Sequence, residues 1–265
     1  MSGQNIWIIG ASTGIGRALA MEYAQAGWMV FASGRSLATL QELARDAQQA
    51  GHRIVPLTLD VTSEESLKAA GKQLEAFPGH LQKVIISAGT CEYVEGLPVD
   101  MGLLRRVMET NFFGAVQAAN VALPLLEHSV VTGREGQLAF LSSSVTYQPL
   151  PRAEAYGASK AALRYFVESL KADFQSTGID FRVVSPGFVK TPLTDKNDFP
   201  MPDMISAETA AKKIVEGLAS KVFDIHFPKR FTLALKALAL LPVSLRVKLL
   251  GRVSRHTPEP SGNLP

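Results

Sequence analysis

Cysteine is almost absent. Cys91 is the only one in 265 residues, so the chain has no internal disulfide and no cysteine cluster for a metal. The five histidines, His52, His80, His128, His226 and His256, are scattered without ligand spacing, and no metal is expected. No run of about 18 residues is free of charge, which argues against a membrane-spanning helix. The first residues lead straight into Ile6–Ile9, four apolar residues and too few for a secretory core, so a cytoplasmic soluble protein is expected. What remains is ordinary globular composition, 46% hydrophobic and 19% charged, which excludes a disordered chain. The length suits one large domain or two small ones.

Two patterns alternate along the chain. Short β-rich runs fall at Ile6–Ile9, Trp28–Ala32, Arg53–Thr58, Val84–Ser87, Gln137–Ser142 and Ile179–Val184. Between them lie stretches with helical spacing, such as Leu19, Tyr23 and Ala26, or Leu37, Leu40 and Leu43. Strand and helix alternating at this pitch predict right-handed crossovers and a parallel sheet. The strands are near-continuously apolar, as a sheet covered on both faces requires. The fold class predicted is α/β, a single doubly wound, Rossmann-like sheet of about seven strands. Residues 190–204 read as loop, followed by a helix from near Ser206.

The first strand runs into Gly10-Ala11-Ser12-Thr13-Gly14-Ile15-Gly16 and then a helix. Glycines there let the backbone approach a pyrophosphate, and the helix N-terminus supplies free N–H groups and positive dipole. Ser12 and Thr13 add hydroxyl donors. The spacing is G-x-x-x-G-x-G and not G-x-G-x-x-G. At this loop the sequence resembles the short-chain dehydrogenase/reductase family, with Ile9 in place of that family's usual threonine.

Further stations strengthen the resemblance. Tyr156 and Lys160 form Tyr-x-x-x-Lys, one helical turn apart. An ammonium near a phenol favours the phenolate, whose unperturbed pKa of about 10 is otherwise too high for catalysis near neutrality. The resemblance implies that Tyr156 is the acid–base, Lys160 its tuner and cofactor-ribose ligand, and Ser143, thirteen residues before Tyr156, the residue that orients the substrate oxygen. Ser142 and Ser144 compete for that last role. Asn111 matches the family's helix asparagine, implied to distort its helix and serve a proton relay, and Gly114 nearby also weakens the helix. Ser87-Ala88-Gly89 stands where the family has an asparagine before Ala-Gly, so Ala88 and Gly89 are expected against the cofactor while side-chain bracing is lost. Pro186, Gly187, Val189 and Thr191 match the family's loop for the nicotinamide carboxamide. Asp60 and Val61 match its adenine contacts. The resemblance spans residues 3–226, and its order and spacing imply hydride transfer between a nicotinamide and a carbonyl or secondary alcohol.

The cofactor expected is NADP(H) over NAD(H). The second strand ends Ala32-Ser33-Gly34-Arg35-Ser36, with glycine where an acid would favour NAD. The guanidinium of Arg35 would then bind a 2′-phosphate. The alternative is that Arg35 stacks on adenine or caps the next helix.

The net charge of +3 is unevenly spread. Residues 225–258 hold no acid and seven bases: Lys229, Arg230, Lys236, Arg246, Lys248, Arg252 and Arg255. This tail is also apolar and breaks at Pro242, which predicts two short helices, although residues 243–249 also alternate like a strand. Residues 1–226 are therefore taken as the catalytic domain and 227–265 as a basic apolar extension, with the last residues from Thr257 frayed. The extension suits an anionic membrane surface, a lid over a greasy pocket, or a helix hairpin packed on the subunit or at a dimer contact. Nucleic acid is not expected, because stacking aromatics are missing. The resemblance implies a homodimer or homotetramer through helices Met101–Glu127 and Glu154–Ser176. The leading reading is a reductase for a small carbonyl, apolar or lipid-like. The alternatives are a non-catalytic NAD(P)-binding regulator and a membrane-recruited protein with incidental activity.

Overall fold

The computed structural model describes residues 3–251. Strands β1 (Asn5–Ile9), β2 (Met29–Gly34) and β3 (Ile54–Thr58) alternate with helices α1 (Gly14–Gln25), α2 (Leu37–Gln49) and α3 (Glu64–Glu75). Then follow β4 (Leu81–Ile86), α4 (Met101–Met108), a π-helical turn at Glu109–Phe113, α5 (Gly114–Val131), β5 (Gly136–Leu141), α6 (Glu154–Asp173) and β6 (Ile179–Pro186). The chain closes with the short pair β7 (Val189–Lys190) and β8 (Ile205–Ser206), then α7 (Ala207–Ala219), β9 (Asp224–Phe227), α8 (Lys229–Leu238) and α9 (Val243–Gly251).

Seven strands form one parallel sheet in the order β3-β2-β1-β4-β5-β6-β9. The doubly wound sheet predicted from the apolar runs is therefore present. Alternation along β1 shows why those runs are continuous. Ile6 and Ile8 join a core with Leu19 and Tyr23 of α1, Leu40 and Leu43 of α2, and Ile214 of α7. Trp7 and Ile9 point to the other face, into a core with Leu67 of α3, Ala118 and Leu126 of α5, and Leu163 of α6. Both faces are covered, and the polar side chains buried on the strands find partners, as Ser33 Oγ does in accepting from Trp7 Nε1 at 2.8 Å. Leu37 departs from the predicted face and is exposed, because it is the first residue of α2 and precedes the turn that meets the sheet. Ser36 caps that helix, accepting from the Thr39 N–H at 3.3 Å.

The sheet order reverses beside β1, which pairs with β2 on one side and β4 on the other. That switch point opens a crevice at the carboxyl ends of the strands, where ligands bind in sheets of this kind. The loop Gly10–Thr13 crosses it, anchored by the N–H groups of Gly10 and Ala11 on the Ser33 carbonyl, both at 2.8 Å.

The seventh strand is β9. It alternates half-buried and buried residues, as an edge strand does, and runs one residue past the boundary expected at 226/227. Both tail segments are helical, and the alternating stretch after Pro242 is α9. Arg252, Arg255 and the end from Thr257 lie outside the described residues. Among the described residues no helix is long and apolar enough to cross a membrane, and no group of three or more His, Cys, Asp or Glu is placed to hold a metal.

Candidate active site

A cleft of about 980 Å³ lies over the switch point. Of the residues singled out in the sequence, Gly10, Ser12, Thr13, Gly14, Ile15, Gly16, Arg35, Asp60, Val61, Ala88, Gly89, Ser143, Tyr156, Lys160, Pro186, Gly187, Val189 and Thr191 all line it. Asn111 does not. It is fully buried behind the wall.

The glycine loop is shaped by close approach. Gly10 has φ +91°, and a Cβ there would sit 2.5 Å from the Ala88 backbone nitrogen. A Cβ on Gly16 would sit 2.0 Å from the Gly10 carbonyl oxygen. Larger residues would force the loop off the strand ends and close the cradle. Gly14, at the start of α1, faces the Thr191 side chain, so the first and last stations of the chain meet across the cleft. Thr194 braces the far side, its hydroxyl donating to the Val189 carbonyl at 2.7 Å.

The end of β2 carries a steric fact that the sequence did not disclose. A Cβ on Gly34 would lie 2.0 Å from Ser12 Oγ. That same Oγ is buried and has no hydrogen-bond partner in the protein. A buried hydroxyl without a partner is costly, and this one faces the cleft beside Gly34 and Arg35. A dinucleotide phosphate fits there: the cradle is glycine-lined, a hydroxyl awaits an acceptor, and a guanidinium stands at the rim. Asp60 lies near Arg35. The Thr62 backbone N–H and hydroxyl, together with Arg35, hold its carboxyl below the usual range despite burial.

Tyr156 and Lys160 project from α6 toward the end of β5. Lys160 Nζ donates to the Leu141 carbonyl at 2.8 Å and lies 5.9 Å from the centre of the Tyr156 ring. Burial pushes Lys160 down to about 8. Burial pushes the Tyr156 phenol up, a thiolate at Cys91 would add to this, and a hydrogen bond with the Ser143 hydroxyl pulls the other way. In the protein alone, therefore, Ser143 lowers the phenol and burial outweighs it. The dry pocket explains why: burial disfavours each charged form, and a deprotonated phenol needs more positive charge than these residues supply.

The three serines separate cleanly because β5 ends at Leu141. Ser143 Oγ accepts from the Val145 N–H at 3.2 Å and lines the cleft. Ser142 also lines the cleft, but its hydroxyl turns back to α6, donating to the Lys160 carbonyl at 3.4 Å. Ser144 is buried and does not line the cleft.

The π-turn at Glu109–Phe113 contains Asn111, so the distortion expected from Asn111 and Gly114 is present. Asn111 Oδ1 accepts from the Thr90 N–H at 2.7 Å, and Nδ2 donates to the Thr90 carbonyl at 2.8 Å and to Ser159 Oγ at 3.0 Å. A Cβ on Gly89 would lie 3.2 Å from Asn111 Oδ1 and 3.3 Å from Lys160 Nζ. Asn111 thus braces the loop after β4, where Ser87 offers no amide to do so.

Several participants were not singled out one by one, although all lie on residues 90–96, 147–153 and 188–204, the loops from which the sequence leads one to expect pocket residues. Cys91 lies close enough to Tyr156 and Lys160 to influence both. Tyr93 Oη donates to Asn197 at 2.6 Å, Arg152 pairs with Asp198 at 2.8 Å and with Glu95, and its carbonyl accepts from the Val94 N–H. These bonds knit together three loops distant in sequence. Only residue type hinted at the bonds themselves, since pairing between loops leaves no periodic signal.

Fold and site together define an α/β oxidoreductase scaffold built on a glycine-rich loop and a Tyr-x-x-x-Lys helix. Comparison with known proteins is consistent with this. The short chain dehydrogenase family profile matches residues 4–200. An uncharacterized oxidoreductase of Myxococcus xanthus is 34% identical over 91% of this chain and 94% of its own length. An 11-beta-hydroxysteroid dehydrogenase A of Sesamum indicum is 34% identical over 73% of this chain and 55% of its own. Among solved structures, a short-chain dehydrogenase from Streptomyces avermitilis superposes with a TM-score of 0.80, covering 96% of this chain and 97% of its own, at 22% identity. A Burkholderia cenocepacia short chain dehydrogenase in complex with NADP also scores 0.80, covering 94% and 98%, at 22% identity. The chain belongs to the short-chain dehydrogenase/reductase family and is an oxidoreductase of that family.

Proposed function

We propose that this protein is an NADPH-dependent reductase of an apolar ketone or aldehyde, with the reverse alcohol oxidation at the same site. The observation that carries the reading is the convergence of Ser143, Tyr156 and Lys160 on one wall of a cleft whose other wall is the glycine loop. NADPH, when bound, supplies the hydride. The protein's own part is protonic and positional. Ser143 orients the carbonyl oxygen, Tyr156 holds the proton at Oη and delivers it to that oxygen, and an ammonium at Lys160 favours the phenolate that this leaves behind. Asn111 keeps the Gly89–Thr90 loop against this group.

The preference for NADPH is supported by Arg35, by the unpartnered Ser12 hydroxyl, and by the space at Gly34 already taken by that hydroxyl. The apolar substrate is supported by the aromatics on the loops: Tyr93 and Phe199 have ring centres 5.7 Å apart, and Phe188 lies 6.1 Å from Phe199. The hydroxysteroid dehydrogenase similar to this chain fits that substrate class. A homo-oligomer through residues 101–127 and 154–176 is supported by Phe113 in the π-turn and Tyr165 on α6, which are both exposed.

A panel of aliphatic, aromatic and polycyclic ketones and aldehydes, read by NADPH oxidation, tests the proposal. Turnover lost in Tyr156→Phe with NADPH binding retained is the expected result. Turnover undiminished in that variant would overturn the role of Tyr156, and no turnover with any carbonyl would overturn the activity.

A further inference from the structure

We propose that α8 and α9 form a docking surface for an anionic phospholipid bilayer. Helix α8 carries apolar side chains on both of its sides. Its inward face holds the buried Leu235 together with its polar anchors. Lys236 Nζ pairs with Asp224 at 3.1 Å, and the Thr232 hydroxyl meets His226 Nδ1 at 2.7 Å. Phe231 on the same side packs against Phe188, ring centres 5.4 Å apart, and against Gly187 of the cleft wall. The outward face carries Leu233, which is 53% exposed, and in the turn after the helix Leu240 is 87% exposed. Beyond Pro242, Val243 and Val247 are 63% and 64% exposed, and no residue of α9 is buried. Leu233 and Ala237 share one stripe of α8, Leu240 follows in the turn beyond it, and Val243 and Val247 share one stripe of α9. A helix packed only for stability would turn such leucines inward.

Charge selects the occupant. Arg230 and Lys248 are exposed beside this stripe, and residues 225–258 contain no acid. Apolar side chains mixed with unopposed cations match the boundary of an anionic membrane, where leucines enter the acyl region and cations meet headgroups. A second copy docked through the same face would set cation against cation across a two-fold axis. The bilayer is therefore the better match. The helices are too short to span it, and they lie on it.

The test is flotation of the full-length protein with phosphatidylglycerol/phosphatidylcholine vesicles and with pure phosphatidylcholine vesicles. Binding is expected on the anionic vesicles alone, and it should fall at about 0.5 M salt. Arg230→Gln with Lys248→Gln should reduce the partition coefficient about 25-fold, at about fivefold per cation. Leu240→Asp with Val243→Asp should abolish flotation while leaving the melting temperature and the light-scattering mass unchanged, since both side chains are exposed. Absence of flotation on anionic vesicles, or equal flotation of both variants, would overturn the proposal. A change of mass in the Leu240/Val243 variant would identify the face as a self-contact and overturn it too.

Discussion

Replacing Arg35 with alanine isolates the basis proposed for cofactor choice. The side chain is exposed at the cleft rim near Asp60, so its bonds to a 2′-phosphate would be charge-assisted but partly screened. Hydrogen bonds to a charged group contribute about 1.5–3 kcal/mol, and exposure places Arg35 at the lower end. NADPH affinity should therefore fall about 10- to 30-fold, and NADH affinity less than about threefold. Fluorescence titration of both cofactors at low and high salt reads this directly, and the NADPH penalty should shrink as salt rises. The steric half of the argument has its own variant. Gly34→Asp alone drives a Cβ to 2.0 Å from Ser12 Oγ and should weaken both cofactors by displacing the loop. Gly34→Asp with Ser12→Gly removes that clash and should move preference toward NADH. Equal losses of NADPH and NADH on Arg35→Ala would refute the reasoning, as would a Gly34→Asp single variant that binds NADH as well as the double variant does.

Three further outcomes follow from the site and its supports. Because burial lowers Lys160 from 10.5 to about 8, the unfolded chain binds more protons between those values, and stability should rise with pH across that window by up to about 3 kcal/mol. Guanidinium unfolding at pH 8 and pH 10 should show this slope in the wild type and lose it in Lys160→Met; an unchanged slope would contradict the burial argument. Asn111→Ala frees both backbone groups of Thr90 and should lower kcat more than it raises the KM for NADPH, because the loop it braces adjoins Lys160. A KM effect alone would place its role in cofactor binding. Asp224 is partly buried, yet Tyr147, Arg164, Ser185 and Lys236 hold its carboxyl below the usual range. Asp224→Ala removes the acceptor they share, although Arg164 keeps Glu168, and should cost about 2–4 kcal/mol in urea unfolding, whereas a loss below about 1 kcal/mol would show that the cluster is solvent-screened.

Much of this was legible in the chain because it is local. Apolar strand runs report burial on both faces, the glycine loop reports a tight turn, and Tyr156 with Lys160 reports one helix face. The edge strand β9 was harder to see. Asp-Ile-His-Phe is four residues long and half polar, so it read as the start of the tail. The tail's charge was countable from sequence, but not that Lys236 turns inward to Asp224 while Leu240 turns out. Helical spacing defines a stripe without saying which side the sheet takes.

Sequence alone determined the sheet, the order of the site's stations and the uneven distribution of charge, because each depends on neighbours in the chain or on counting. Tertiary structure decided that Ser12 fills the space over Gly34, that Asn111 braces Thr90, that Ser143 reaches the Tyr156 phenol, and that Leu235 of α8 is buried while Leu233 faces outward. Each of these rests on contacts between segments far apart in the chain, and a steric exclusion or a desolvated charge exists only once folding has brought such segments together.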